Sequence, residues 1–172
     1  MRQGRRDGFR EFAAGRSGHL YRSACLLASG DTHLAEDLVQ ETLGRMYLLW
    51  GRMSRVEHPA AYAQTVLVRV FLTHRRRRSS GERPVGDFPE PDGRPAGSGA
   101  DPALRLTLLE ALGRLAPKDR AVLVLRYWED RSVEETAEAM KVSSAAVRTR
   151  SSRALNRLRE QLGGSLTEFV GH

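Results

Sequence analysis

Apolar residues recur along this chain at helical spacing, in blocks separated by polar or Gly/Pro-rich breaks, and no stretch alternates as a strand would. The first block begins at Phe9, Phe12 and Ala13 and continues through Leu20, Tyr21, Ala24, Leu26 and Leu27. It predicts a helix over 8–28, bent near Gly15 and Gly18, after a polar lead-in from Met1 to Asp7. Ser29-Gly30-Asp31 breaks the pattern, and Asp31 or Thr32 is placed to cap a second helix. In the second block, HLAEDLVQETLGRMYLLW (33–50), Leu34, Leu38, Leu43, Met46, Tyr47 and Trp50 fall on one predicted inward side. Pro59 suits the start of a third helix over 60–74, with Tyr62, Val66, Leu67 and Val70 as its apolar side. Residues 79–101 then lose the pattern, with Pro, Gly and Ser dominating and few apolar positions. Periodicity returns in the leucine-dense stretch Leu104, Leu106, Leu108, Leu109, Leu112 and Leu115. After Ala116-Pro117-Lys118 it continues through Ala121, Val122, Leu123, Leu125, Tyr127 and Trp128.

The last block, RSVEETAEAMKVSSAAVRTRSSRALNRLR (131–159), predicts two helices joined by a tight turn. Ser132 with Glu135 three residues later makes a capping box for a helix over 133–140, where Ala137 and Ala139 allow close approach. Lys141-Val142-Ser143 is the turn, Ser143 caps the next helix, and that helix runs from Ser144 to Leu162 before Gly163-Gly164 stops it. Val147, Ala154, Leu155, Leu158 and Leu162 form its apolar stripe, and Arg148, Arg150, Arg153, Arg157 and Arg159 occupy its other faces. A capped, Arg-rich helix with a short-side-chained start suits the DNA major groove, so the block reads as a helix-turn-helix. The whole is an all-α fold: two small helical domains joined by a flexible acidic linker. The expected divisions are 1–78, the linker 79–101, a helix-turn-helix domain 102–164, and a disordered tail 165–172.

Charge sharpens this picture. The 172 residues carry a net charge of +7, which favours a polyanionic partner. Arg75-Arg76-Arg77-Arg78 at the end of the third helix exceed what a helix terminus requires and favour phosphate contact. Against this background Glu36, Asp37, Gln40 and Glu41 form a local acidic patch, which fits either helix-start electrostatics or docking of a basic partner. The linker holds five acidic and two basic residues, and serves either as a tether or as an acidic strand that occupies a nucleic-acid channel on a partner. No apolar run reaches the roughly 20 residues a membrane span needs, and the N-terminus lacks a secretory apolar core. The single Cys25, in an apolar run, reads as core in a reducing compartment. The histidines show no metal-ligand spacing, there is no Gly-rich phosphate loop, and no residues group as nucleophile and base. Neither catalysis nor a cofactor is expected.

Two motifs, in order, resemble a known family: the extracytoplasmic-function sigma factors of bacteria, small two-domain members of the sigma-70 superfamily, and within them the actinobacterial SigE-like group. The resemblance covers roughly 9–78 and 102–162. AEDLVQETL (35–43) is similar to the family's region 2.2, which binds the β′ clamp helices of core RNA polymerase. It implies Asp37, Leu38, Gln40 and Glu41 as core-binding residues. The segment 52–78 resembles regions 2.3 and 2.4, where a flipped base of the −10 element is captured and its neighbours are read. This implies Arg55, His58, Tyr62, Arg69, Arg75, Arg76 and Arg77 as −10 contacts, although relatives often carry Asn where Arg69 stands. VRTRSSRA (147–154) matches the region 4 pattern for the −35 element. There Arg148, Thr149, Ser152 and Arg153 are implied as base contacts, Arg150 and Arg157 as phosphate contacts, and Ser144 as a further −35 contact. Lys141 stands where glycine is common, and Ala145-Ala146 replaces a frequent Gly-Thr.

The resemblance implies a cytoplasmic, nucleoid-associated specificity subunit that is not itself an enzyme. Its partners would be core RNA polymerase, through the β′ clamp helices and β flap, and promoter DNA, with no membrane. Control would come from an anti-sigma factor or from expression level. A stand-alone helix-turn-helix regulator explains the second half equally well but not AEDLVQETL. A polymerase-blocking scaffold is a third reading.

Overall fold

The structure, a computed structural model, describes residues 2–53, 56–79 and 102–163, and every element among them is helical. The expected tail and, apart from Ser79, the expected linker lie outside these residues. Three long helices, α1 (Arg2–Leu27), α2 (Thr32–Met53) and α3 (Pro59–Ser79), form the first half. The second half holds α4 (Pro102–Gly113), α5 (Pro117–Leu123) running into a π-helical turn (Val124–Trp128), α6 (Val133–Met140) and α7 (Ser144–Leu162).

Two boundaries differ from expectation for physical reasons. Helix α1 starts six residues before the expected 8 and continues through Gly15 and Gly18. Its first turns gain a platform on α2, where Phe9 meets Tyr47 and Trp50 edge-on with centroids 5.2 and 5.6 Å apart, and Phe12 lies 5.0 Å from Trp50. Helix α3 continues past His74 through the four arginines, which are good helix formers and sit at the favourable C-terminal end of the dipole.

Caps set the remaining ends. Asp31, not Thr32, caps α2, its Oδ1 accepting the Leu34 N–H at 3.1 Å. The capping box at Ser132 and Glu135 forms with both bonds, at 3.0 and 3.2 Å. Ser143 Oγ accepts the Ala146 N–H at 3.1 Å at the start of α7. Lys141 is left-handed (φ 56°, ψ 45°), and the Val142 N–H reaches back to the Ala137 carbonyl at 3.0 Å. That is the usual glycine-type stop, made here with a lysine.

Leu20, Ala24, Leu27, Leu34, Leu38, Met46, Leu67 and Phe71 fill the core of the first half. Leu112, Leu115, Leu123, Ala154, Leu158 and Leu162 fill a second core between α4, α5 and α7. The first core also takes in Ala121, Val124, Leu125 and Ala139, so the halves pack on one another. Arg120 ties that junction: although only 2% exposed, it donates to the Leu27 carbonyl at the end of α1 and the Leu115 carbonyl after α4. Its guanidinium also lies 5.7 Å from the Phe71 ring centre, and burial, then Arg75, pushes its pKa down to about 10. Cys25 is buried as expected, and burial holds its thiol above the ordinary value.

Two inward assignments are corrected. Tyr47 is 40% exposed, being drawn to the α2 edge by Phe9. Tyr127 and Trp128 are also half exposed, because the widened turn, with the Glu129 N–H bonded to the Val124 carbonyl, rotates them out of register with α5.

Candidate nucleic-acid and polymerase interfaces

Helix α7 separates its faces cleanly. Val147, Ser151, Ala154, Leu158 and Leu162 are buried, following one another at three- and four-residue steps. Opposite them Ala145, Arg148, Thr149, Ser152, Arg153 and Asn156 make a continuous exposed strip over the first three turns. Short residues flank its arginines, as a helix entering a groove requires. Thr149 Oγ1 donates to the Ala145 carbonyl at 3.0 Å, and the Arg148 pair with Glu134 is long, 3.5 Å, and open to water. Such a pair contributes little and leaves Arg148 available. Arg150 differs. It is partly buried and pairs with the buried Asp119 at 3.2 Å, so it fixes α7 to α5. Ser144 is half buried, and Arg157 is exposed beyond the strip's first two turns.

Helix α2 presents Asp37, Gln40 and Glu41 to solvent, while Leu38 is buried at 1% exposure. Leu38 therefore anchors the helix and turns its neighbours outward, offering no surface itself. Glu41 pairs with Arg45 at 2.9 Å, one turn on. The same face ends at Leu48, 76% exposed. Sequence reasoning missed Leu48 by treating the apolar run around it as inward. Its position seven residues after Glu41, two helical turns, was the available signal.

The −10 candidates are spread along α3. Arg55 lies outside the described residues. His58 is exposed just before α3, Tyr62 is half buried in its first turn, and Arg76 and Arg77 are exposed in its last. Arg75 lies 5.9 Å from the Phe71 ring centre, half buried, and burial and Arg78 hold its pKa below the ordinary value. The same burial, with Arg78 and Arg75, keeps the His74 imidazole below its usual range, the mark of a strongly cationic helix end. Arg69 points elsewhere, donating to the Ala139 carbonyl at 2.9 Å and the Glu138 carbonyl at 3.3 Å, on α6 of the other half. In this arrangement it is a junction residue. Arg131 crosses in the opposite direction, to Thr65 Oγ1 at 2.7 Å and to the Ala61 carbonyl. Sequence reasoning assigned it no role, because its partners lie in the other half.

Among the described residues no three His, Cys, Asp or Glu side chains converge as a metal site, and no helix is long and apolar enough to cross a membrane. Comparison with known proteins agrees with the two-part architecture. Residues 16–81 match Sigma-70 region 2 and residues 111–160 match Sigma-70, region 4. The chain is 39% identical over 155 residues to the RNA polymerase sigma-E factor of Streptomyces coelicolor, covering 90% of this chain and 85% of that one. It is 38% identical over 154 residues to the sigma-E factor of Streptomyces avermitilis, covering 90% and 84%. In fold it is similar to the sigma factor RpoE solved in complex with the anti-sigma factor NepR from Bartonella quintana, with a TM-score of 0.69, 24% identity, and 91% and 98% of the two chains covered.

Proposed function

Because the chain belongs to the extracytoplasmic-function sigma factors of the sigma-70 family, we propose that its first half docks on core RNA polymerase and reads the −10 element while its second half reads the −35 element. The observation that carries this is the α7 strip of Arg148, Thr149, Ser152 and Arg153, exposed on a capped helix and backed by a buried apolar face. Arg148 and Arg153 supply guanidinium forks that fit guanine edges, and Arg157 supplies a phosphate contact. On α2, Asp37, Gln40 and Glu41 make the polar part of the polymerase-docking face, and Leu48 adds an apolar anchor. His58, Tyr62 and Arg75–Arg77 form the −10 surface, offering stacking and charge to an extruded base and its strand.

The two domains divide at the acidic segment after α3, which is a tether long enough to let them bind separately. The protein acts by binding and promoter melting in the cytoplasm, on the nucleoid, and chemistry stays with the polymerase. The similarity in fold to a sigma factor solved with an anti-sigma factor supports control by such a partner, which fits a chain whose halves already pack together.

Core-dependent run-off transcription from genomic fragments tests the reading. Arg148→Ala should lower use of −35-dependent promoters about 5- to 150-fold, the equivalent of roughly 1–3 kcal/mol for one bidentate base contact, and leave core binding intact. Gln40→Ala should weaken core binding and hence every promoter alike. Equal loss at all promoters with Arg148→Ala removes α7 as a reading helix. Duplex binding by a protein that never binds core restores the stand-alone regulator.

A further inference from the structure

The first turns of α1 carry a third cationic surface, separate from the α7 strip and the end of α3. Arg2, Arg6 and Arg10, spaced four residues apart, line one shallow groove with Gln3 and a single acid, Asp7. All three arginines are exposed. The match to Sigma-70 region 2 begins at residue 16, so this segment lies ahead of the family's matched residues.

The arrangement is poor as a free-standing helix. Like charges four residues apart destabilise a helix by about 0.2–0.5 kcal/mol per pair, and cations in the first turn oppose its dipole. Gly4 and Gly8 weaken it further. Helicity is imposed from outside, by Phe9 and Phe12 on Tyr47 and Trp50. Gly51 leaves room for Arg5, whose Cζ lies 3.0 Å from where a Cβ would stand, so Arg5 packs over the end of α2. Aromatic packing thus presents three like charges in a row, a display that nearby negative charge would stabilise.

Its position identifies that charge. The first turns of α1 lie against the end of α2 through Arg5 and Gly51, and α3 follows α2 at Pro59. His58 and Tyr62, at the start of α3, belong to the surface proposed to hold the −10 base. Resting on that reading, we propose that Arg2, Arg6 and Arg10 form a phosphate-binding strip for the single-stranded promoter DNA released on melting.

The test compares holoenzymes carrying the wild-type chain, the triple variant Arg2→Gln/Arg6→Gln/Arg10→Gln, and the Lys counterpart Arg2→Lys/Arg6→Lys/Arg10→Lys, on promoter DNA premelted across the −10 element. Each single-strand phosphate contact contributes about 0.7 to the slope of log affinity against log salt. Between 50 and 200 mM salt, wild-type binding should therefore fall about 20-fold more than that of the Gln variant. The Lys variant, retaining point charges, should follow wild type. Core affinity should be equal for all three, and circular dichroism of the free chains should match. Unchanged salt slopes for the Gln variant overturn the strip. Loss confined to core binding overturns it too and assigns the arginines to an acidic polymerase surface. Absence of any core-dependent promoter binding by the wild-type chain is a separate failure, that of the sigma-factor reading itself.

Discussion

Lys141 is a single residue that the fold holds against its own preference. It ends α6 in a left-handed conformation, a region that favours glycine because it has no Cβ. Ser29 (φ 51°) and Asp130 (φ 53°) do the same at the ends of α1 and the π-helical turn. Such a residue holds its place only because its neighbours fix it: at Lys141, the Val142 N–H to the Ala137 carbonyl and the packing of Val142 beneath α6. Lys141→Gly should relieve the strain, and the greater freedom of glycine in the unfolded chain offsets part of the gain. The expected net is about 0.5–1 kcal/mol of added stability, a rise in Tm of roughly 1–4 °C at this chain length. Thermal unfolding followed by circular dichroism reads it directly. A lower Tm would show that the lysine makes a contribution beyond its backbone. The turn lies outside the α7 strip's arginines, so promoter selectivity should not change.

Between elements, the end of one helix is held by a side chain from another. The carbonyls closing α1 and α4, of Leu27 and Gly113, converge on Arg120 with that of Leu115 just beyond, and each helix end carries partial negative charge that a cation stabilises. Arg120→Met keeps much of the length and removes every donor, stranding those carbonyls in the junction. A loss of about 2–4 kcal/mol is expected, and Arg120→Lys should recover only part because one ammonium cannot replace a planar fork. Denaturant unfolding measures both, and a loss under about 1 kcal/mol for Arg120→Met would mean that water takes over the carbonyls. Arg120 also marks where sequence stops being readable. The boundaries of α6 and α7, the Ser132–Glu135 box and the Ser143 cap were legible, since each depends on residues within four positions. The Leu27 acceptor of Arg120 lies 93 residues away, and nothing near Arg120 in sequence announces it. Tyr127 and Trp128 misled for a related reason: one widened turn shifts the helical register, and periodicity assumes a constant one. At the candidate interfaces the charge pattern singled out α7, whereas the acidic patch on α2 stayed open between two readings until the resemblance of AEDLVQETL was added. Which members stand free emerged only from packing, which buries Leu38, pairs Arg150 with Asp119 and exposes Leu48.

At the scale of the whole molecule, the halves are in contact where the proposed function requires them to part. Positions −35 and −10 lie about 25 base pairs apart, roughly 85 Å along a duplex at about 3.4 Å per step. Here α3 touches α6 directly through Arg69, and α6 packs beside α7. The two reading surfaces cannot span a promoter in this arrangement. The 22 residues of 80–101 reach about 75 Å when extended, and the widths of the two halves supply the rest, so the chain permits the separation. Polar contacts join the halves beside that packing. Glu129 accepts from Ser23 Oγ at 2.8 Å and lies 2.8 Å from His19 Nε2, Trp128 Nε1 donates to Ser23 Oγ at 3.0 Å, and Arg131 reaches Thr65. Interfaces between domains of one chain are commonly polar in this way, and such contacts can be exchanged for a partner's when the halves part. On the proposed reading the closed form holds Arg69 away from DNA, and opening would return it to the −10 surface. Removing these polar contacts should shift the balance, because apparent affinity scales with the fraction of chains already open. Glu129→Ala with Arg131→Ala should raise the radius of gyration in solution scattering above the roughly 16 Å of a compact chain of this length. The same double variant should bind core polymerase more tightly by the factor in which open chains increase. If its radius grows while core affinity stays constant, closure is not what limits docking, and the junction serves stability alone.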